Sequence, residues 1–548
     1  MRKMKQASMM KNLSTSIYTF ESLISNDCLY VDKTRYLYEL VKLPKAQIFC
    51  ARPRRFGKSL TVSTLEAIFR GKRELFEGLY IAGQNYDWQE YPVVHLDFAR
   101  TDMRDLDKLQ MSLCLQLSQI GGEYGISLKG INPVVMFDTL LCNLAQKYNQ
   151  GVVLLIDEYD KPIFEHIEDK EDAEEFRKFL SSFYQIIKGA EAKERFVFVT
   201  GVTRLAKLSI FSKLNNLYDI TMDEDYATMM GYTQAELENS FTGWLDKALT
   251  EHVTDEFGEP LDREDLLGEL KRWYDGYCFA PGCETVYNPV SVGNFFLKRN
   301  AFRNYWFTTG TPRFLVELMQ HNKMTLMDVT GARLPASSLD SFDVTELAGS
   351  EVRNERITEL MLQTGYLTLD YVLTRPQLTY VTRFPNTETE KAFAENLLNA
   401  YVKQKAPAAW SVDIWKAAEC GDTEQFIKEL QGFFADIPYT MQLDYEKFYQ
   451  TVVYIICRMC GMDIQAEVAT NIGRIDAVLK AGKHIYLVEF KLDKTAGAAL
   501  AQIDEKKYAQ KYILPARKKG QVVHKLGINF SYAKEDRNIT DWQEEIVR

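Results

Sequence analysis

The chain has 548 residues, of which 46% are hydrophobic, 12% aromatic and 26% charged, the mixture of a folded protein and not of a disordered or low-complexity one. Its 66 Lys and Arg against 76 Asp and Glu leave a net charge of −10, which excludes a basic nucleic-acid coat, although a local basic groove can sit inside an acidic total. At about 100–200 residues per domain the length suits about three to five domains. No apolar run predicts a membrane-spanning helix, and the N-terminal MRKMKQASMMKNLSTS has basic residues with no apolar stretch behind them. The expectation is a cytoplasmic protein without membrane attachment, its nine cysteines reduced.

A first block, residues 1–230, alternates short apolar runs with helical patterns. The runs Ala46–Cys50, Pro92–Asp97, Gly151–Ile156 and Arg195–Thr200 are almost wholly apolar, as expected of strands covered on both faces, and Ser59–Phe69 and Glu171–Lys188 have helical spacing. That alternation predicts an α/β domain with a doubly wound parallel sheet. The first strand runs into Ala51-Arg-Pro-Arg-Arg-Phe-Gly-Lys-Ser59 and then a helix, the arrangement whose backbone N–H groups face nucleotide phosphates. Arg55, Phe56, Gly57, Lys58, Ser59 and Leu60 are the nucleotide-binding candidates, with Lys58 on the outer phosphates and Ser59 on Mg²⁺. The glycine usual five residues before Gly57 is Arg52, and Pro53 lacks a donor. The alternative reading is a basic loop capping a helix.

Val152–Glu158 is an apolar strand ending in two acids. Asp157 is the candidate Mg²⁺ ligand and Glu158 the candidate base for an attacking water. The alternative is a strand-end cap for the next helix, a role Asp160 could also fill. Thr200 and Arg204 follow a further strand; Thr200 could sense a γ-phosphate and Arg204 could stabilise transferring charge or simply pair with an acid.

Residues 231–400 are richer in helical pattern, as in Ala235–Leu249 and Arg263–Tyr274, with turn chemistry at Asp275-Gly276 and Asn288-Pro289. They are expected to form a mainly helical middle domain. A third block, residues 401–548, follows a weakly marked linker at Ala406–Ala409. It reads as a helix, strands near Asp463–Val468, Arg474–Lys480 and His484–Lys491, then a helix Ala498–Tyr512. Cys457 and Cys460 have metal or redox spacing, but lie in a helical run where buried apolar thiols are the expectation. Adjacent strands would bring Asp476 and Glu489 together, with Lys491 on the same face as Glu489. Two carboxylates form a hard oxygen site for Mg²⁺, with Mn²⁺ an alternative, and Glu446 on the preceding helix could add a ligand. Lys491 would position the attacking water or balance developing charge; the alternative is a buried Glu–Lys pair. Gln502 and Tyr508 lie on the following helix.

Residues about 15–230 resemble the AAA-ATPase-like domain of many bacterial proteins. The resemblance rests on Tyr30-Val-Asp-Lys-Thr34, Arg52-Pro-Arg-Arg-Phe-Gly-Lys-Ser59, Leu155-Ile-Asp-Glu-Tyr-Asp160 and Thr200-Gly-Val-Thr-Arg204, with Trp273–Phe279 and Tyr287-Asn-Pro289 in keeping. It implies ATP over other nucleotides and makes the absent early glycine a family trait. Residues about 380–535, with Asp476 and Glu489-Phe-Lys491, resemble the PD-(D/E)XK nuclease superfamily, which implies a metal-dependent nuclease acting on DNA or RNA. AAA-like proteins often form rings, which leaves a homo-oligomer with Arg204 reaching a neighbour as one expectation. Two functions follow: an ATPase whose nucleotide state gates cleavage, or a signalling or interaction ATPase whose nuclease-like domain only binds nucleic acid or a partner.

Overall fold

The computed structural model describes residues 10–204, 217–255, 258–306, 313–340, 344–347, 352–402, 408–437, 442, 445–469, 473–533 and 536–547. Of the expected linker, residues 406–407 lie outside the described residues; Ala408 opens the helix Ala408–Cys420. The chain divides into two compact units, Met1–Thr311 with Gly331–Thr389, and Pro312–Thr330 with Glu390–Arg548.

The first unit is built on a five-stranded parallel sheet: β1 Ala46–Ala51, β2 Val93–Asp97, β3 Val152–Asp157, β4 Glu194–Gly201 and β5 Tyr218–Asp219, in the order β2-β3-β4-β1-β5. All six residues of β3 are buried, which is why that segment reads as an unbroken apolar run. Capped helices connect the strands. Asn132 caps Pro133–Tyr148, with proline at its first position, and Asp169 caps Lys170–Gly189, which buries Phe176, Leu180, Phe183 and Ile187 on one stripe. The register pairs Ala51 with Gly201 and Asp97 with Asp157, so the phosphate-loop candidate and the acids lie at the carboxyl edge of one sheet. Open α/β sheets bind ligands at that edge.

The segment expected as a separate middle domain is divided between the two units, most of it falling in the first with a core cluster built almost wholly from its own residues. Val31 packs with Leu237, Phe241, Leu270 and Phe295, while Tyr277 and Val286 join the core formed by Phe56, Phe69 and Phe198. The expected helix Ala235–Leu249 is two helices, Gln234–Ser240 and Thr242–Thr250, with Phe241 buried between them. A small antiparallel sheet, β6 Arg333–Pro335, β7 Thr368–Leu373 and β8 Thr379–Arg383, adds strand structure to a region expected to be mainly helical.

The second unit carries a mixed sheet of β9 Asp463–Ala469, β10 Arg474–Ala481, β11 His484–Leu492, β12 Val522–Phe530 and β13 Ile539–Val547, in the order β13-β12-β11-β10-β9. Only the β11–β12 pair is parallel. The helix Glu446–Met459 buries Phe448, Val452, Ile455 and Ile456. Its Lys447 pairs with Asp328 and its Arg458 with Glu390, ties that place both ends of the interrupted segment in this unit. Cys457 is fully buried on that helix and Cys460 ends it; burial pushes the Cys460 thiol up to about 12, so both act as small apolar groups. Among the described residues no helix is long and apolar enough to cross a membrane.

Candidate active sites

In the first unit the loop between β1 and the helix Lys58–Phe69 turns through two left-handed residues, Arg55 (φ 73°) and Gly57 (φ 91°). A Cβ at Gly57 would meet open space, so glycine is required there by conformation, and the loop keeps a clear face. Arg54 and Arg55 are exposed. Phe56 points inward, its ring 4.7 Å from that of Tyr277 and 5.1 Å from that of Phe279. Trp306 donates its indole N–H to the Arg54 carbonyl at 3.0 Å. Leu60 is half-buried on the first turn of the helix.

Arg52 is 1% exposed and braces the loop from below. Its guanidinium donates to the carbonyls of Ala51 (2.9 Å), Thr221 (2.7 Å) and Tyr226 (3.1 Å) and lies over the Phe279 ring. This role is invisible in a motif read only for its glycines. Lys58 is buried and donates to the carbonyls of Arg52 and Pro53, both at 3.1 Å, with the Glu158 carboxylate 3.8 Å away. Glu158 itself adopts a left-handed conformation (φ 54°), a backbone cost that aims its side chain toward Lys58. Asp157 is 3% exposed; one oxygen, Oδ1, is buried with no hydrogen-bond partner among the described residues. Burial raises its pKa to about 6, opposed by a hydrogen bond with Ser59 and the nearby Lys58 charge, and reinforced by the Glu158 and Asp97 charges. An orphaned carboxylate oxygen beside a hydroxyl is the donor set that a Mg²⁺ ion fits.

Other residues of the same motifs hold the scaffold. Asp160 does not cap the following helix with its side chain; it accepts from the amides of Val202 (3.0 Å) and Thr203 (2.7 Å) and from the Thr203 hydroxyl (2.8 Å). Thr200 is fully buried and donates to the Cys50 carbonyl at 2.6 Å. Arg204 pairs with Asp219 at 2.8 Å, and its amide donates to Gln363 at 2.7 Å. Asp32 anchors Thr34 and the Tyr80 amide, and Lys33 pairs with Glu236, so this stretch is a staple and not a ligand group. His95, bonded to Glu66 on the loop helix at 3.0 Å, sits on the strand beside Asp157; no motif in the sequence points to it.

In the second unit the antiparallel pairing of Ala477 with Val488 sets Asp476 beside Glu489 on neighbouring strands. Asp476 accepts from the Phe490 amide at 2.9 Å. Glu489 is fully buried, and its Oε1 accepts from Gln502 and faces the Lys491 ammonium at 3.4 Å. Its Oε2 is buried with no partner among the described residues. Burial, reinforced by the Asp476 charge and opposed by Lys491, raises Glu489 to about 7. Gln502 lies on the helix Ala496–Glu505, and Tyr508 follows in the break before Gln510–Lys519, where the sequence predicts one continuous helix. Glu446 opens its helix and bonds Gln450 at 3.4 Å. Among the described residues no three His, Cys, Asp or Glu gather to hold a metal, so the structure brings together Asp476 and Glu489 but does not bring Glu446 to them. The two-carboxylate pair with its orphaned oxygen fits a divalent ion whose other ligands are water or substrate oxygens.

This pairing of an ATPase-type sheet with a two-carboxylate, one-lysine sheet agrees with the known families. Residues 14–211 match a family model described as predicted AAA-ATPase, and residues 444–542 match one for the PD-(D/E)XK nuclease superfamily. The chain belongs to the AAA-ATPase-like family, with a C-terminal domain of the PD-(D/E)XK nuclease superfamily. It is 33% identical over 532 residues, 95% of this chain and 96% of the relative, to a protein of Azotobacter chroococcum mcd 1 described as an uncharacterized protein in the vnfD 5' region. No solved structure matches it.

Proposed function

We propose that this protein binds and hydrolyses ATP and is a metal-dependent nuclease on DNA or RNA, with the nucleotide state gating cleavage. The observation that carries this reading is common to both sites: a buried carboxylate oxygen without a partner, on Asp157 and on Glu489, beside a buried lysine, Lys58 and Lys491. A buried, unpaired acid is costly unless something cationic completes it. In the first site Lys58 would exchange its two loop carbonyls for phosphate oxygens, and Ser59 and Asp157 would hold Mg²⁺. Glu158 orients and deprotonates the attacking water. In the second site Asp476 and Glu489 would hold Mg²⁺ or Mn²⁺, an ion that would supply polarisation of a phosphodiester and a lowered pKa for water. Lys491 positions that water, and Gln502 keeps the Glu489 carboxylate aimed.

Cleavage of single- and double-stranded DNA and RNA, measured with Mg²⁺ or Mn²⁺ and with and without ATP, tests this reading. Activity is expected to disappear in Lys491→Ala, and its response to ATP in Lys58→Ala. Equal cleavage by wild type and Lys491→Ala removes the nuclease assignment. A second reading is that the C-terminal domain only docks nucleic acid or a partner. Binding without cleavage, altered by ATP in the wild type and not in Lys58→Ala, would select it.

A further inference from the structure

Glu388 is a fully buried carboxylate that is satisfied by three neutral donors: the Ser291 hydroxyl at 2.7 Å and the backbone amides of Tyr305 at 2.5 Å and Trp306 at 2.8 Å. An acid buried on neutral donors is costly unless they are closely placed, so Glu388 and the backbone of residues 305–306 fix one another. What they fix touches the phosphate loop. The Trp306 indole donates to the Arg54 carbonyl at 3.0 Å. The residue after Glu388, Thr389, is also fully buried, and its hydroxyl lies 3.1 Å from that of Tyr277. The Tyr277 ring stands edge-on to Phe56 at 4.7 Å. Arg54 and Phe56, two residues of one loop, are thus each a single side chain away from this bracket.

Both contacts end where the chain leaves the first unit. It passes to the second unit after Thr311, five residues beyond Trp306, and again after Thr389. Glu390, the first residue of the second unit there, pairs with Arg458 and accepts from the Tyr454 hydroxyl at 2.7 Å, both on the helix Glu446–Met459. The loop has two arrangements to report. Lys58 lies on the Arg52 and Pro53 carbonyls here, and a bound phosphate would release them, next to the Arg54 carbonyl that holds Trp306. We propose that Trp306 and Tyr277 are positioning residues that carry the nucleotide occupancy of the phosphate loop to the two points where the chain leaves this unit, with Glu388 holding the two points together. A ligand shifts such an element only through contacts that differ between its two states, and the Lys58 exchange supplies them. The inference rests on the reading of the Lys58 loop as a nucleoside triphosphate site, and names the residues through which its state would be passed on.

Amide hydrogen exchange of the full chain, followed peptide by peptide with and without Mg²⁺ and ATP, tests it. In wild type ATP is expected to slow exchange in the loop peptide, residues 52–60, and to change the rates of peptides covering 305–306 and 387–393 by at least about fivefold, the value of roughly one hydrogen bond. Trp306→Phe keeps a ring and removes the indole N–H; it is expected to abolish the response at 305–306 and leave the loop response in place. Tyr277→Phe keeps the ring against Phe56 and removes the hydroxyl; it is expected to do the same at 387–393. Glu388→Gln keeps an oxygen for the two amides and should retain both responses, whereas Glu388→Ala should lose both. A protected loop in the variants also reports that they are folded. Wild-type responses confined to the loop, variants that respond as wild type does, or variants that lose the loop response as well, overturn the proposal while leaving the phosphate site standing. No loop response in wild type, or an equal one in Lys58→Ala, instead overturns the phosphate-loop reading on which the proposal depends.

Discussion

Glu489 is a carboxylate held where ionisation is costly, and this has a sign that can be measured. Its ordinary value of 4.5 is raised to about 7 in the fold, chiefly by burial. Between about 4.5 and 7 the folded chain therefore holds more protons than the unfolded one, so this residue makes stability fall as pH rises, and the loss is complete above about 7. Without divalent ions, Glu489→Gln should match wild type near pH 4.5 and melt above it at pH 8, by about 2–4 °C for each kcal/mol relieved. Thermal unfolding in a chelator checks this, and identical melting at pH 8 contradicts it. The candidacy of Asp476, Glu489 and Lys491 was legible in the sequence because strand alternation places alternate residues on one face. The environment of Glu489 was not legible, because Gln502 reaches it from a separate helix.

At the scale of elements, the phosphate loop is a local feature with distant supports. The strand, the glycine and the lysine are contiguous, so their arrangement could be read directly. The brace under them comes from residues about 170 positions away, through Arg52 to Thr221 and Tyr226. Restoring the usual loop glycine should therefore harm this protein. Arg52→Gly leaves three carbonyls, one buried and two half-buried, short of a donor and removes the stack on Phe279, and is expected to cost about 3 kcal/mol, read as a lower urea midpoint. An unchanged midpoint would show that the guanidinium is replaceable. The C-terminal sheet illustrates the converse difficulty. Its strands β12 and β13 are not legible in the sequence because Val522–Phe530 is interrupted by His524, Lys525 and Gly527, and Ile539–Val547 is crowded with acids. Gly527 is explained only by packing: a Cβ there would lie 2.4 Å from the Ala496 carbonyl, where a helix crosses the strand.

For the whole molecule, net charge conceals a division. Residues 441–548 carry 17 Lys and Arg against 14 Asp and Glu, a net of +3, and the remainder carries −13. Lys507, Lys511, Arg517, Lys518 and Lys519 are exposed on or beside the helix Gln510–Lys519, a few residues beyond Gln502 and Tyr508. If this face meets a phosphate backbone, nucleic-acid affinity falls steeply with salt, and replacing Lys518 and Lys519 by Gln lowers the log–log slope by about 0.9 for each phosphate no longer neutralised. Fluorescence anisotropy across a salt series measures it, and an unaltered slope would exclude those lysines from the interface. The sequence by itself determined the α/β class, the strand-loop-helix order around Lys58, the acid-ended strand and the carboxylate–lysine pair, because each depends on neighbours a few residues apart. Only the tertiary structure decided which side chains are left without partners, that Arg52 is a brace, that Arg204 is paired with Asp219, and that the middle segment divides between two units. Those outcomes depend on burial and on packing between residues far apart in the chain, and neither motif spacing nor hydrophobic period carries that information.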